Sequence, residues 1–187
     1  HCVNNSKGIY VKQGNYSTNI SGGSSVANVE YLSTYKDDFN LNEIARNDLA
    51  VLILNSDLQV SQQALPGELG RGCGYSVVGY GDNERGQNRQ RRGTEACIDW
   101  VDSDRMGLSF GEDSFVCSGD SGAGVYKKNT NQLVGLNSGF DNGKGGCTNS
   151  TIFYATRVDI HQSYIYKHSN ASRWSSGNRV KIYDHLS

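Results

Sequence analysis

The apolar residues of this chain come in short runs, separated by residues such as glycine, asparagine and serine. Residues 49–54 form one continuous apolar run, which predicts a strand buried on both faces, and residues 26–32 alternate as a half-buried strand does. Further strands are predicted at residues 8–11, 75–78, 97–101, 125–126, 133–136 and 152–158. Short apolar runs between turns favour an all-β barrel or sandwich.

Helical spacing is clear in one segment, residues 159–168. It would put Ile160, Tyr164 and Ile165 on one face, with Asp159 as the cap or in the first turn. Residues 59–69 hold the single proline of the chain and read as an irregular linker between two halves. A length of 187 residues suits one domain with a real core.

Charge gives little reason to expect a nucleic-acid or membrane partner, because the formal net charge is only −1. No run of apolar residues is long enough to span a bilayer. The local basic stretch of Arg85, Arg89, Arg91 and Arg92 is interpreted as a solvated loop, with contact to an acidic partner as the less favoured alternative.

Five cysteines in a chain of this size favour disulfides over metal ligands. No Cys-x-x-Cys pair occurs and the four histidines are scattered, so neither a metal nor a cofactor is expected. The odd count leaves one thiol without a partner in the chain, and Cys2 is the candidate. Because the chain opens on His1 instead of methionine, we expect that processing or truncation removed its beginning. Asn-x-Ser/Thr sequons at Asn4, Asn15, Asn19, Asn149 and Asn170 support secretion weakly.

The segment Cys117-Ser118-Gly119-Asp120-Ser121-Gly122 is the sharpest candidate for chemistry. A nucleophilic serine needs an exposed hydroxyl and backbone N–H groups aimed at the developing oxyanion. Glycine at positions 119 and 122 allows a tight turn in which such groups can point inward. As an isolated pattern, the segment is also compatible with an ordinary turn.

This segment resembles the nucleophile motif of chymotrypsin-family serine proteases, and other segments resemble that family in the same order. They are His1-Cys2 (the end of Ala-Ala-His-Cys), Asn47-Asp48-Leu49-Ala50-Val51-Leu52, Val78-Gly79-Tyr80-Gly81, Ser138-Gly139-Phe140 and Phe153-Tyr154-Ala155-Thr156-Arg157-Val158. The resemblance implies a protease domain over residues 1–169, followed by an irregular tail at residues 170–187. The implied fold is all-β, a chymotrypsin-like double Greek-key β-barrel with a C-terminal helix and an incomplete first barrel.

The resemblance also implies a catalytic triad in the order His, Asp, Ser. His1 would be the general base, Asp48 would orient its imidazole, and Ser121 would be the acylated nucleophile. The N–H groups of Gly119 and Ser121 would form the oxyanion hole. Asp120 would have a structural role, because in the family this carboxylate pairs with the N-terminus released on zymogen cleavage.

For the cysteines, the resemblance implies a Cys117–Cys147 bridge that frames the specificity pocket, and an upstream partner for Cys2. Cys73 and Cys97 would lie on neighbouring strands of the second barrel. They would pair with each other, or Cys97 would bond to residues that precede the chain.

Departures from the family concern the pocket. Its floor would be Phe115, with Val116 beside it, where trypsins keep an aspartate, and its walls would include Phe140 and Ile152, near Ser138 and Gly139. A cation in an apolar pocket would cost several kcal/mol, so cleavage after small aliphatic residues is predicted over cleavage after Lys or Arg. The bulky walls leave open that the pocket is closed. Residues 14–25 contain no carboxylate, so no calcium site is expected.

Together these features predict a secreted, monomeric serine endopeptidase that acts on proteins or peptides and is open to protein inhibitors. The main alternative is a catalytically silent relative that uses the same scaffold as a binding module. An unrelated β-sandwich adhesion domain is the least favoured reading.

Overall fold

The computed structural model describes residues 1–3, 8–12, 23–32, 46–58, 64–82, 90–112, 114–140, 147 and 152–168. Its strands are β1 (Tyr10–Lys12), β2 (Gly23–Tyr31), β3 (Ala50–Leu54), β4 (Leu65–Pro66), β5 (Gly72–Gly79), β6 (Arg92–Val101), β7 (Arg105–Phe110), β8 (Gly124–Lys127), β9 (Gln132–Phe140) and β10 (Phe153–Arg157). A 3₁₀ turn (Asp159–His161) then leads into the helix α1 (Gln162–His168). Over these described residues the architecture is mostly β with a single short helix near the C-terminal end, as the sequence predicted.

Six of the strands close into a barrel. Neighbouring strands run in the order β5-β6-β7-β10-β9-β8, and β8 pairs back with β5. Since β8 and β9 return to lie between β10 and β5, the connections follow a Greek key. The short strand β4 runs parallel to β9 outside this ring, within the segment predicted to be an irregular linker. The architecture is that of a chymotrypsin-like fold.

The barrel interior is filled by alternate residues of its strands. Ile98, Met106, Leu108, Val125 and Val134 are all at most 1 % exposed. Because successive side chains of a strand point to opposite faces, pairs such as 96 and 98 or 106 and 108 face the same interior. Burial of each large aliphatic side chain contributes about 1.5–3 kcal/mol, so this interior holds the barrel together.

A second, three-stranded sheet has the order β1-β2-β3. Its last strand, β3, pairs with β2 so that Val29 faces Leu52. The prediction that the run at residues 49–54 is buried on both faces was wrong, because every residue of β3 is only half-buried. Among the described residues β3 lies at the edge of its sheet, so one side of the strand has no neighbour to cover it.

Two further predictions need correction. The strand β7 was missed, although Met106, Leu108 and Phe110 alternate in it as the apolar residues of a half-buried strand do. Ile160 does not share a face with Ile165, since Ile160 is 43 % exposed and Ile165 only 8 %. The reason is that residues 159–161 form a 3₁₀ turn, whose spacing differs from that of the α-helix that follows.

Disulfides join Cys73 to Cys97 and Cys117 to Cys147. The first pair follows from strand register, because Cys73 and Cys97 lie directly opposite each other on β5 and β6. Cys2 is exposed and is a free thiol in this chain. In the part of the chain described here, no helix has the length and apolar character needed to cross a membrane. The five sequon asparagines lie outside the described residues.

Candidate active site

Asp48 lies in the loop that leads into β3, and both of its carboxylate oxygens are engaged. The Nδ1 atom of His1 lies 2.5 Å from Oδ2, and the hydroxyl of Ser138 donates to the same oxygen over 2.6 Å. The backbone nitrogen of His1 donates to Oδ1. A nitrogen at this position can donate either as a terminal ammonium or as a peptide N–H. The Asp48 side chain is only 10 % exposed, so these contacts replace water around its charge.

The pKa of His1 is set by burial of the ring and by its contacts with this carboxylate and with Cys2. Burial of the ring lowers its pKa, but the hydrogen bonds to Asp48 and Cys2 and the negative charge of Asp48 raise the pKa more. Together these effects raise the pKa of the His1 ring from its ordinary value of 6.5 to about 10. An imidazole held in this way keeps a fixed ring orientation and gains a stabilised protonated form.

Ser121 lies in a turn that hydrogen bonds fasten to β9. The turn is closed by Asp120 N–H to Cys117 O at 3.0 Å and Ala123 N–H to Asp120 O at 3.0 Å. Gly122 then donates its N–H to Asn137 O over 2.7 Å, and the Asn137 side chain donates to Asp120 O over 2.8 Å. Because Asn137 precedes Ser138, which contacts Asp48, this network links the Ser121 turn to the His1–Asp48 pair.

The glycines of this turn have the conformations that the sequence predicted for them. Gly119 has φ of +91° and Gly122 has φ of +83°, in the left-handed region that L side chains avoid. A Cβ on Gly119 would also lie 3.2 Å from the Cα of Gly81. Ala123, the residue after Gly122, has no positive φ and so accepts its methyl group.

The carboxylate of Asp120 is buried, at 9 % exposure, and joins two chain segments. It accepts the N–H of Gly81 at 2.7 Å and the N–H of Cys117 at 3.0 Å. A Cβ on either Gly79 or Gly81 would collide with it. Burial raises the pKa of Asp120, whereas the two amide hydrogen bonds and the charge of Arg92 lower it, and the net direction is upward.

Comparison with known families agrees with this geometry. The family model described as Trypsin matches residues 1–165 of the chain. The chain belongs to the trypsin family. This membership indicates a domain of the serine protease type. No curated protein sequence matches the chain.

In this trypsin-family chain, a cavity of about 210 Å³ adjoins Asp120. Asp82, Arg92, Phe115 and Val116 are among the residues that line it. The Oδ1 atom of Asp82 is buried without a hydrogen-bond partner among the described residues. The cavity therefore combines apolar walls with two carboxylates, Asp82 and Asp120, and the guanidinium of Arg92.

The solvated-loop interpretation of the basic stretch was wrong for Arg92. Its side chain is half-buried in the wall of that cavity, and Nη1 donates to Gly81 O over 3.3 Å. Arg91 is exposed, as expected, and Arg85 and Arg89 lie outside the described residues.

The predicted pocket residues occupy different environments. Phe115 is half-buried, whereas Val116 is 2 % exposed and belongs to the barrel core. Phe140 packs against the core with its ring 6.0 Å from that of Phe153. Gly139 has open space where a side chain would extend, and Ile152 is half-buried.

Two polar residues of this trypsin-family site could not be assigned these contacts from the sequence. Asn137 and Ser138 are both buried in β9, at 3 % and 7 % exposure. The only signal is an adjacent polar pair inside an apolar strand, since a buried polar side chain needs a hydrogen-bond partner. Among the described residues, no group of three or more His, Cys, Asp or Glu side chains is arranged to hold a metal ion.

Proposed function

We propose that this trypsin-family domain is a serine endopeptidase that cleaves peptide bonds through an acyl-enzyme on Ser121. The observation that supports the proposal best is the hydrogen-bonded row of His1, Asp48 and Ser138, which a network of backbone contacts connects to the turn of Ser121. This arrangement pairs a base with the carboxylate that orients it, which is what activation of a nucleophilic serine requires.

In the proposed reaction, the Ser121 hydroxyl attacks the carbonyl carbon of the substrate while His1 accepts the hydroxyl proton. The N–H groups of Gly119 and Ser121 stabilise the oxyanion that forms. His1 then gives the proton to the leaving amine as the C–N bond breaks, and an ester to Ser121 remains. Water, deprotonated by His1, hydrolyses this ester and restores the free serine. Asp48 stabilises the imidazolium form of His1 in both steps.

The cavity beside Asp120 supports activation by an inserted chain terminus. An ammonium group fits the acceptor oxygens of Asp120 and Asp82, and an aliphatic side chain fits the apolar wall at Val77 and Val116. Binding there would keep Asp120 ionised and hold the turn of the oxyanion hole. We therefore propose that the protein is made as a zymogen.

For specificity, we propose small aliphatic residues on the acyl side of the cleaved bond. The packing of Phe140 on Phe153 supports a shallow pocket, and Phe115 supplies no negative charge for a Lys or Arg side chain. The substrates are proteins or peptides in the extracellular space, the enzyme is a secreted monomer, and protein inhibitors are possible partners.

The decisive experiment is labelling with a fluorophosphonate probe, which phosphonylates an activated serine as fluoride leaves. In the protein that carries this chain we expect labelling that Ser121→Ala abolishes. Ser118→Ala is the matched control, because Ser118 is an exposed hydroxyl three residues away in the same segment, and its labelling should equal that of the wild type. Absence of labelling in the folded wild-type protein would contradict the proposal.

The packing of Phe140 on Phe153 and against the barrel core also favours the second candidate, a silent homologue that binds without cleaving. Phe140→Gly separates the two candidates. If the site is an enzyme with a restricted pocket, the variant cleaves peptides with larger residues on the acyl side than the wild type does. A silent homologue stays inactive toward every peptide of the library in both forms.

A further inference from the structure

A cluster of charged residues on the barrel contacts the loop that carries Asp48. Asp104 lies in the tight turn between β6 and β7, and its side chain is only 7 % exposed. Its Oδ1 pairs with Nη1 of Arg46 at 2.5 Å, and its Oδ2 accepts the N–H of Asn47 at 3.0 Å. Arg46 and Asn47 are the two residues that immediately precede Asp48.

Asn47 has a backbone conformation that needs such support. Its φ is +54°, in the left-handed region that non-glycine residues adopt at a cost. Strained residues of this kind persist only where their surroundings hold them in place. The Asn47 carbonyl accepts the N–H of Leu49 over 2.8 Å, so the turn encloses Asp48 from both sides.

The turn that carries Asp104 is itself tightly fixed to the barrel. The Oδ1 atom of Asp102 accepts the N–H groups of Asp104 and Arg105, both at 2.9 Å. Arg157, at the end of β10, donates its backbone N–H to Asp104 O at 3.0 Å and its Nη1 to Asp102 O at 2.6 Å. Asp159 in turn pairs with the Arg157 guanidinium.

We propose that Asp104, with Arg46, is a positioning residue that holds Asp48 in hydrogen-bonding range of His1. This inference rests on the proposed function. Asp104 reaches only the backbone and the preceding arginine of the loop, so it acts through Asp48 and not on substrate. Displacement of a catalytic group by about 1 Å costs on the order of 100-fold in rate, which gives this support its importance.

The test compares Asp104→Asn, Asp104→Ala and Arg46→Gln. Asp104→Asn retains an oxygen for the Asn47 N–H but loses the charge that holds Arg46, and Asp104→Ala loses both. We expect the rate of fluorophosphonate labelling, and in parallel the rate of peptide cleavage, to fall about tenfold or more in Asp104→Ala, and less in the other two variants. The loss should fall on kcat, with KM nearly unchanged, because no substrate contact is removed.

Glu95→Gln is the matched control, because it breaks an ion pair with Lys128 on the exposed face of the same strand, β6. The rate at which the fluorophosphonate labels this variant should equal that of the wild type. The melting temperature is recorded for every variant. If Asp104→Asn and Arg46→Gln lower the melting temperature but leave the labelling rate unchanged, Asp104 is only structural and the inference fails.

A readout independent of activity is the pKa of the His1 ring, followed by NMR. A displaced Asp48 no longer raises this pKa, so it should fall in Asp104→Ala and Asp104→Asn and stay constant in Glu95→Gln. Other charged groups near the Asp104 carboxylate, among them Asp102, His161 and Arg157, are the same in all variants. An unlabelled wild type would overturn the proposed function alone, whereas an unchanged His1 pKa would overturn the positioning role.

Discussion

The closed barrel and the three-stranded sheet differ in how they are held together. In the barrel, Met106 and Leu108 are at most 1 % exposed, whereas every residue of β3 is half-buried. The candidate nucleophile belongs to the barrel, and the candidate base and its carboxylate belong to the sheet side. The barrel thus supplies a rigid apolar frame, and polar contacts attach the sheet-side residues to it.

A small apolar cluster accompanies these polar contacts. Leu49, beside Asp48, packs in one cluster with Leu133 of β9, with Val158 after β10, and with Ile165 of α1. A contact of 3.4 Å between the Glu30 carboxylate and Nδ1 of His168 joins β2 to the same helix. Function at this boundary should therefore be lost more easily than the fold itself.

The largest expected effect is on activity, from Asp48→Asn. Loss of the charge removes the orientation of His1 and the stabilisation of its imidazolium form, so kcat should fall by roughly 10⁴-fold, as in serine proteases of this type. Because the substitution leaves the barrel core intact, the melting temperature should change little. Steady-state kinetics measures kcat, and thermal unfolding measures the melting temperature. A large fall in melting temperature together with the loss of kcat would show that the site and the barrel are not independent.

The next largest effect is on the free energy of unfolding, when a leucine is replaced by alanine in each of the two regions. Leu108→Ala in the barrel should lower the free energy of unfolding by about 2–5 kcal/mol, because it opens a cavity among fully buried side chains. Leu52→Ala in β3 should cost clearly less, since this side chain is only half-buried. Denaturant titration compares the variants, and equal costs would show that the two regions are packed alike.

The smallest effect concerns pH. Since the folded-state pKa of His1 is raised from 6.5, folding gains stability from the protonated ring below the unfolded-state pKa and loses it as pH rises through the folded-state pKa. Activity runs in the opposite direction, because only the neutral ring accepts a proton. The acid limb of kcat/KM should therefore lie above pH 6.5 and move downward in Asp48→Asn. An acid limb at or below that value would contradict the His1–Asp48 coupling.

The sequence predicted most of the strands because their apolar runs are short and bounded by turn residues. It predicted the environment of Asp120 less well, since the glycines of residues 79–81 give no sign that they enclose a carboxylate. The half-exposed β3 shows the limit of local pattern, as burial depends on which neighbours a strand acquires. Ser138 and Asp104 contact residues 90 and 57 positions away, and no local pattern encodes such a distance.

Through its two hydrogen bonds, the Asp120 carboxylate links the glycine turn at residues 79–81 to the segment that carries Ser121. A side chain on a glycine of the turn would displace the Asp120 carboxylate. A shorter residue in place of Asp120 would lose the hydrogen bonds to both segments. Substitutions at these distant positions should therefore be tolerated only together. A random library that varies them jointly would retain far more functional members than two libraries that vary each alone.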